Sequence, residues 1–134
     1  MRELAAVDRL DVRIIVDNVT DGLSSTPAYV ESEWSQLWKG GMPVISGKCL
    51  CCAAHGLSCL ITVERAGKRH SLLFDTGPED AVFERNLWRL GIDPGVIEAM
   101  VLSHGHWDHA GGMLRALDMV RQRNGGKAIP YSAH

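Results

Sequence analysis

One short stretch of the sequence gathers several side chains of the types that bind divalent metal ions. Within six positions it contains three histidines and an aspartate, namely His104, His106, Asp108 and His109. Neutral imidazole and ionised carboxylate are ligands that zinc and similar ions accept. Because alternate residues of an extended chain share a face, the side chains of His104 and His106 would point to the same side. The spacing therefore predicts a metal site, and the alternative is a loop whose polar side chains are only solvated.

The second half of the motif favours a second ion. Asp108 and His109 fall near the start of the next predicted helix, displaced from the two earlier histidines, so one loop could serve two neighbouring ions. Asp108 is also the predicted catalytic residue, since a carboxylate beside an activated water can orient it and carry a proton to the leaving group. We predict zinc as the metal, and iron or manganese would suit the same ligands.

The motif lies between a predicted strand and a predicted helix. The apolar run Ala99–Leu102 predicts a buried strand over Ala99–Ser103, and a brief helical turn is expected before it at Val96–Glu98. After the motif, Met113, Leu117 and Val120 keep the spacing of one helix face, and the helix is expected to end at residues 124–126. A further strand begins near residues 127–131.

Upstream, the pattern predicts a strand, a hairpin and a helix. Val12–Val16 is a β-branched run, whereas residues 1–11 are polar and expected to be loose. Leu57–Glu64 and His70–Phe74 are predicted to form a hairpin, and Glu79–Leu90 a helix that ends at Gly91. This order of elements indicates an α/β fold with a mixed sheet and flanking helices.

Residues 20–48 are predicted to form a long loop with one possible helical turn at Tyr29–Lys39. Trp34 and Trp38 in this turn are expected to pack against the protein, and stacking on a flat ligand is the alternative.

Four cysteines crowd into eleven positions: Cys49, Cys51, Cys52 and Cys59. Their spacing is not that of a zinc knuckle, and a disulfide framework is not expected without a secretory signal. We expect small, buried or half-buried thiols in a loop, and a redox or accessory-metal role is the alternative.

Composition and charge restrict the class of protein. Of the 134 residues, 46% are hydrophobic and 22% are charged, which suits one folded domain. The net charge of -2 gives no basic footprint for nucleic acid or an anionic membrane, and no apolar run is long enough to span a bilayer. Residues 1–8 include acidic side chains where a signal peptide needs an apolar core. We expect a cytoplasmic protein with a small-molecule substrate and neither a nucleic-acid nor a membrane partner.

Two motifs resemble those of a known superfamily. Ser103–Gly112 is similar to the metal-binding signature of the metallo-β-lactamase superfamily, and Leu72–Gly77 resembles its earlier motif, in which an aspartate ends a strand. Five segments together resemble the branch named for dihydropterin ribofuranosylaminobenzene-phosphate synthase, an enzyme of methanopterin biosynthesis. These segments are Val16–Asn18, His55–Ser58, Phe74–Pro78, Leu90–Asp93 and His104–His109.

The resemblance implies a fold and several residue roles. The superfamily's αββα sandwich has two halves, and residues 1–134 would form one partial domain that lacks the C-terminal half. Asp75 matches an aspartate that supports the metal loop rather than holding the metal as a main ligand, and the alternative is a cap of the turn before Pro78. His55 is expected on the substrate side of the site, although a loop histidine is often only solvated. His134 is not assigned as a ligand.

A lone half would also have physical consequences. Each ion would lack ligands that the superfamily draws from later segments, so we expect this chain alone to bind metal weakly and to be inactive or impaired. An uncovered sheet face would favour a homodimer or another association, or the chain is a fragment of a longer protein.

For a complete member, the resemblance implies a metal-dependent hydrolase, in which a metal-activated water attacks an ester, phosphoester or similar substrate. The first alternative is a synthase-like transferase, in which the ions hold the pyrophosphate of a dihydropterin donor while an aromatic amine phosphate attacks. The second alternative is a truncated, non-catalytic binding domain.

Overall fold

The computed structural model describes residues 5–133 and is built around a five-stranded sheet. Its strands follow the same order in space as in the chain: β1 (Arg9–Val16), β2 (Ser58–Arg65), β3 (Lys68–Phe74), β4 (Ile97–Leu102) and β5 (Tyr131–Ala133). β1, β2 and β3 are antiparallel, whereas β4 pairs parallel to β3 and β5 parallel to β4. The α/β fold with a mixed sheet and flanking helices is confirmed.

In the described part of the chain, four α-helices accompany the sheet: α1 (Glu33–Lys39), α2 (Asp80–Arg89), α3 (Trp107–Ala110) and α4 (Met113–Arg123). The predicted helices around α2 and α4 are confirmed. α1 is shorter than the predicted Tyr29–Lys39 because Ser32 caps it, with the Ser32 side chain accepting a hydrogen bond from the Ser35 N–H at 3.3 Å. No helix in residues 5–133 is both long and apolar enough to cross a membrane.

The predicted hairpin is confirmed, and a turn of two residues joins its strands. β2 and β3 pair from Cys59 opposite Phe74 to Arg65 opposite Lys68. Ala66 and Gly67 lie between the strands, and both have positive φ angles of 50° and 73°. Two such residues give a turn whose twist matches that of the strands.

The expectation that residues 1–11 are loose is wrong for residues 9–11. β1 begins at Arg9, which pairs with Glu64, and Asp11 pairs with Thr62. The polar residues here occupy one face of the strand while Leu10 continues the apolar face, so the alternating pattern starts earlier than the β-branched run. Residues 1–4 lie outside the described part of the chain.

The strand before the motif also begins earlier than predicted. Pro94–Val96 forms a 3-10 turn, capped by the Asp93 carboxylate, which accepts from the Gly95 N–H at 3.0 Å. β4 then starts at Ile97, which is buried, so Ile97 and Glu98 belong to the strand and not to a helical turn.

Helices α2 and α4 cover one face of the sheet. The side chains packed there form one buried apolar cluster: Ile15, Val16, Leu60, Leu73, Phe83, Leu87, Ile92, Ile97, Met100, Ala116, Met119 and Val120. Leu73 and Met100 pair across the central strands β3 and β4, so this core holds the two strands whose ends carry the predicted metal motif.

The opposite face of the sheet is apolar as well, and we call it the open face. Residues paired across neighbouring strands share a face, which places Leu10, Val12 and Ile14 on the same side as their β2 partners. The open face comprises Leu10, Val12, Ile14, Cys59, Ile61, Val63, Leu72, Phe74, Ala99 and Val101. Its β1 residues are exposed, and most of the others are half-buried.

An ion pair joins the two helices on the covered face. The guanidinium of Arg115 on α4 donates to both carboxylate oxygens of Glu84 on α2, at 2.8 and 2.6 Å. These hydrogen bonds hold the pKa of Glu84 below its ordinary value. A bidentate ion pair of this kind fixes the relative position of the helices more firmly than a single hydrogen bond would.

We expect Glu84→Gln to lower the free energy of unfolding by about 0.5–1 kcal/mol at pH 7, because the pair is partly exposed. A carboxyl with a lowered folded-state pKa contributes stability above its unfolded pKa and loses it as the pH falls through the folded value. Urea unfolding at pH 7 and pH 3 should therefore show a smaller difference between wild type and variant in acid than at neutral pH. A double-variant cycle with Arg115→Gln isolates the pair, and a difference that is as large at pH 3 as at pH 7 would contradict this account.

Candidate metal centre

The predicted metal motif begins where two neighbouring parallel strands end. Phe74 of β3 pairs with Val101 of β4, so the segments that follow the strands leave the sheet side by side. The Asp75 N–H donates to the Val101 carbonyl at 2.9 Å, which extends this pairing by one residue. The carboxyl ends of parallel strands are where α/β folds place their functional side chains.

Three of the predicted ligands form one group. The ligand atoms of His104, His106 and Asp108 all lie within 4.8 Å of one another and could hold a divalent ion. The rings of His104 and His106 meet edge-on, with their centroids 4.6 Å apart. His106 is the N-cap of α3, so its extended backbone directs the two histidines together before the helix begins.

The fourth predicted ligand, His109, lies beside this group. Its Nε2 is 3.5 Å from Asp108 Oδ2, and its ring centroid is 4.2 Å from that of His104. Asp108 is thus shared between the two histidines before it and the one after it. The assignment of one pair of ligands to each of two ions stays a prediction.

The buried carboxylate of Asp75 orients the motif. Asp75 is 1% exposed and accepts hydrogen bonds from the Ser103 N–H at 2.7 Å, the Ser103 hydroxyl at 2.7 Å and His109 Nδ1 at 2.8 Å. Because an ionised carboxylate can only accept, Nδ1 of His109 must carry the proton, which leaves Nε2 with a free lone pair for a metal. Asp75 itself has a φ of 56°, in the left-handed region that aspartate tolerates better than most residues.

Ser103 links Asp75 to a second histidine, and the sequence reasoning did not single it out. The Ser103 hydroxyl lies 2.9 Å from His104 Nδ1 as well as 2.7 Å from Asp75 Oδ2. With its proton given to the carboxylate, the hydroxyl can accept from His104 Nδ1, so His104 would also present Nε2. The sequence feature that could have identified Ser103 is its position directly before the motif, at the end of a buried strand.

Backbone contacts lock the loop in place. The Thr76 N–H donates to the His109 carbonyl at 2.7 Å, and the Leu57 N–H donates to the Asp108 carbonyl at 3.3 Å. A side chain at Gly56 would overlap the Asp108 carbonyl, and one at Gly111 would overlap the Pro78 carbonyl. The absence of Cβ atoms at these two glycines lets three separate segments meet at the motif.

His55 lies beside the group. Its Nε2 is 3.6 Å from Asp108 Oδ2, and its ring stacks on that of Trp107 with centroids 5.7 Å apart. Both side chains are exposed. A role for His55 toward a substrate stays a prediction.

Comparison with known proteins agrees with this geometry. Residues 56–118, from the turn beside the motif to α4, match the family model of the metallo-β-lactamase superfamily. The resemblance stated from the two sequence motifs is confirmed.

One curated relative also matches. It is the 7,8-dihydropterin-6-methyl-4-(β-D-ribofuranosyl)-aminobenzene-5'-phosphate synthase of Methanocaldococcus jannaschii, which is 39% identical over 80 residues. The alignment covers 60% of this chain and 26% of the relative, so this chain spans about a quarter of the relative's length.

The cysteines lie apart from the group of His104, His106 and Asp108. Cys49, Cys51 and Cys52 are half-buried in the segment before β2, whereas Cys59 is buried within β2 and not in a loop as expected. Asn86 of α2 holds this segment, since its side chain accepts from the Cys52 N–H and donates to the Cys52 carbonyl. Within residues 5–133 the cysteines belong to no group of three or more candidate metal ligands.

Two further features stand away from the motif. A cleft of about 1120 Å³ opens between the covered face of the sheet and the segments around residues 17–36, and no ligand of the motif lines it.

Trp34 packs close to Gly22, in line with the expected packing role. His134 lies outside the described residues.

We expect Asp75→Asn to weaken zinc binding by about 10–100-fold, the usual cost of losing a hydrogen-bond partner behind a ligand. Asparagine tolerates the left-handed backbone here, but one carboxylate oxygen is replaced by an NH2 donor, so the side chain cannot accept all three hydrogen bonds from Ser103 and His109. Competition with a chromophoric chelator would measure the affinity, and circular dichroism would verify folding. The matched control is Asp118→Asn on the exposed side of α4, and equal affinities for both variants would contradict the role given to Asp75.

We expect Cys51 and Cys59 to be alkylated slowly by iodoacetamide at pH 8 in the native protein. Burial raises the pKa of Cys51 to about 12, with a contribution from the nearby Glu33, and burial also raises the pKa of Cys59. Little reactive thiolate is then present at pH 8. Mass spectrometry of each peptide would give the rates, with urea-unfolded protein as the reference. Rapid modification of native Cys51 would contradict this.

Proposed function

We propose that this chain provides the metal-binding part of a metal-dependent hydrolase. The observation that carries the proposal is the group of His104, His106 and Asp108, whose ligand atoms lie within 4.8 Å of one another beside the Asp75 network. Two imidazoles and a carboxylate suit zinc, iron and manganese, and we propose zinc. His106 is exposed, so both an ion and a substrate can reach the group.

A divalent ion at this group would supply Lewis acidity and a water of lowered pKa. The protein side chains would supply orientation. Asp75 holds the Nδ1 side of His109, and Ser103 holds that of His104, so both rings keep a fixed direction. Asp108 is the proposed catalytic residue, since its carboxylate belongs to the ligand group and can hold a proton of the attacking group.

The second candidate is a transferase that joins a dihydropterin to an aminobenzene ribofuranosyl phosphate. The 39% identical synthase supports this candidate at least as well as the hydrolase. In the proposed reaction, the amine nitrogen of the aromatic acceptor forms a bond to the side-chain carbon of the dihydropterin while the carbon–oxygen bond to pyrophosphate breaks. Pyrophosphate leaves with the electron pair, and the amine nitrogen loses a proton to solvent. The same ligand group would then serve to bind the leaving pyrophosphate.

The setting we propose is the cytoplasm, with a small molecule as substrate. Four free cysteines suit a reducing compartment. The net charge of -2 does not favour nucleic acid or anionic lipid as a partner.

The hydrolase and transferase candidates can be separated by their substrates and products. A hydrolase would turn over bis(p-nitrophenyl) phosphate in the presence of Zn²⁺, and a chelator would abolish that turnover. The transferase would release pyrophosphate from a dihydropterin pyrophosphate only when the aminobenzene phosphate acceptor is present. Zinc binding with neither reaction would favour a binding domain over both.

We expect His106→Ala to weaken zinc binding by more than the roughly 10–100-fold that loss of a supporting hydrogen bond costs, because a direct ligand is removed. Isothermal titration with Zn²⁺ would measure this, together with loss of whichever turnover the wild type shows. His70→Ala is the matched control, since His70 is an exposed histidine of β3 paired with Glu98 away from the motif. If His106→Ala binds Zn²⁺ like the control, the proposed metal centre is wrong.

A further inference from the structure

An exposed aromatic pair stands beside the ligand group. Trp107 lies between His106 and Asp108 in the chain, and its side chain is 64% exposed. The ring of His55 stacks on it at a centroid distance of 5.7 Å and an interplanar angle of 24°. The two rings come from segments 52 positions apart in sequence, 107 against 55, so the fold itself brings them together.

Trp107 is the most exposed of the tryptophans with exposed side chains, at 64% against 50% for Trp38 and 47% for Trp88. Trp34 packs against Gly22. Trp88 is hydrogen-bonded through Nε1 to Glu84 at 3.4 Å, and the guanidinium of Arg123 lies 6.0 Å from its ring centroid. Trp107 instead presents much of a large apolar ring to water, which forgoes the free energy its burial would give. An exposed aromatic ring at the mouth of a polar site is well suited to stacking on a ligand.

The pair is also held in place. The Leu57 N–H donates to the Asp108 carbonyl at 3.3 Å, and Gly56 fits directly against that carbonyl, so the turn that carries His55 is tied to α3. His55 Nε2 lies 3.6 Å from Asp108 Oδ2, which adds a polar contact to the stacking. The surface is therefore formed before a ligand arrives, and little ordering is needed on binding.

We propose that Trp107 and His55 form a stacking surface that holds a planar heteroaromatic ring of the substrate, with an anionic group of the same substrate at the His104, His106 and Asp108 group. This inference rests on the proposed function, since a bound metal ion would attract the anionic group. It assigns the substrate class of the site: a flat ring system that carries a phosphate or carboxylate. Trp107 and His55 are binding residues in this assignment, and the ring would be held by its face rather than by its edge.

Calorimetric titration of the full chain tests the proposal with two probes in the presence of Zn²⁺. Pterin-6-carboxylate is the planar heteroaromatic anion, and cyclohexanecarboxylate is the non-planar anion of equal charge. We expect the wild type to prefer the planar probe. Trp107→Ala should weaken its binding on the order of tenfold, the usual effect of removing an aromatic stacking partner, whereas Trp107→Phe should retain most of the affinity.

Control variants separate stacking from folding and from charge. Trp88→Ala removes a tryptophan of comparable exposure on α2 and should leave the affinity unchanged. His55→Phe keeps a ring without the contact to Asp108 and should bind like wild type, whereas His55→Ala should bind more weakly. Zn²⁺ affinity, measured separately, should be the same in all four variants at positions 55 and 107.

Several results would overturn the stacking surface. They are failure of the wild type to bind pterin-6-carboxylate, equal affinity for the two probes, or unchanged affinity in Trp107→Ala. Failure of the proposed function is distinguishable, because it would appear as a wild type that does not bind Zn²⁺. Pterin-6-carboxylate binding that Trp107→Ala weakens even without Zn²⁺ would still support the stacking surface.

Discussion

The buried carboxylate of Asp75 is the interaction on which the arrangement of the site depends. It accepts three hydrogen bonds, two from Ser103 and one from His109, at a position that is 1% exposed. A charge so removed from water is tolerated only when donors satisfy it, and here the donors belong to the motif itself. In the observed conformation of the loop, Asp75 has all three hydrogen bonds and the histidines converge. Stability of the strand ends and geometry of the ligand group are thus set by the same bonds.

Close backbone contacts add a second constraint of the same kind. Gly56 and Gly111 lie where any side chain would overlap a carbonyl oxygen, of Asp108 and Pro78 respectively. The loop is fixed from the side of α3 as well as from the strand ends. Such a site is pre-organised, so a bound ion would have little conformational entropy to overcome. A hydrolase and a transferase would both need a pre-organised ligand group, so pre-organisation does not distinguish the two candidates.

The sequence could predict much of this arrangement because the informative signals are local. The types and spacing of His104, His106, Asp108 and His109 identify a candidate metal site without any fold, and the apolar run before them identifies a strand. The hairpin and α2 follow from turn residues and helical spacing in the same way. The superfamily resemblance then pointed to Asp75, which lies 28 positions before Ser103.

What the sequence could not predict depends on contacts between distant segments. Ser103 contacts both Asp75 and His104, and its position at a strand end before the motif marks it as a candidate without revealing these two contacts. The stacking of His55 on Trp107 and the fit of Gly56 under Asp108 likewise require the three-dimensional fold. The start of β1 was misplaced for a different reason. Arg9 and Asp11 alternate with Leu10, and a strand with one polar face looks locally like a polar tail.

Packing on the open face would affect the metal group, because the two share strands β3 and β4. β3 and β4 carry the motif at their ends, and their side chains that point away from α2 and α4 include Leu72, Phe74 and Val101. Any surface that packs there removes apolar area from water and so stabilises the strands that hold Asp75 and Ser103. By mass action, the stability of the folded chain would then rise with the concentration of the molecule that packs on the open face. The occupancy of the metal group would rise as well, because a metal ion that binds only the folded strands gains from anything that increases the folded population.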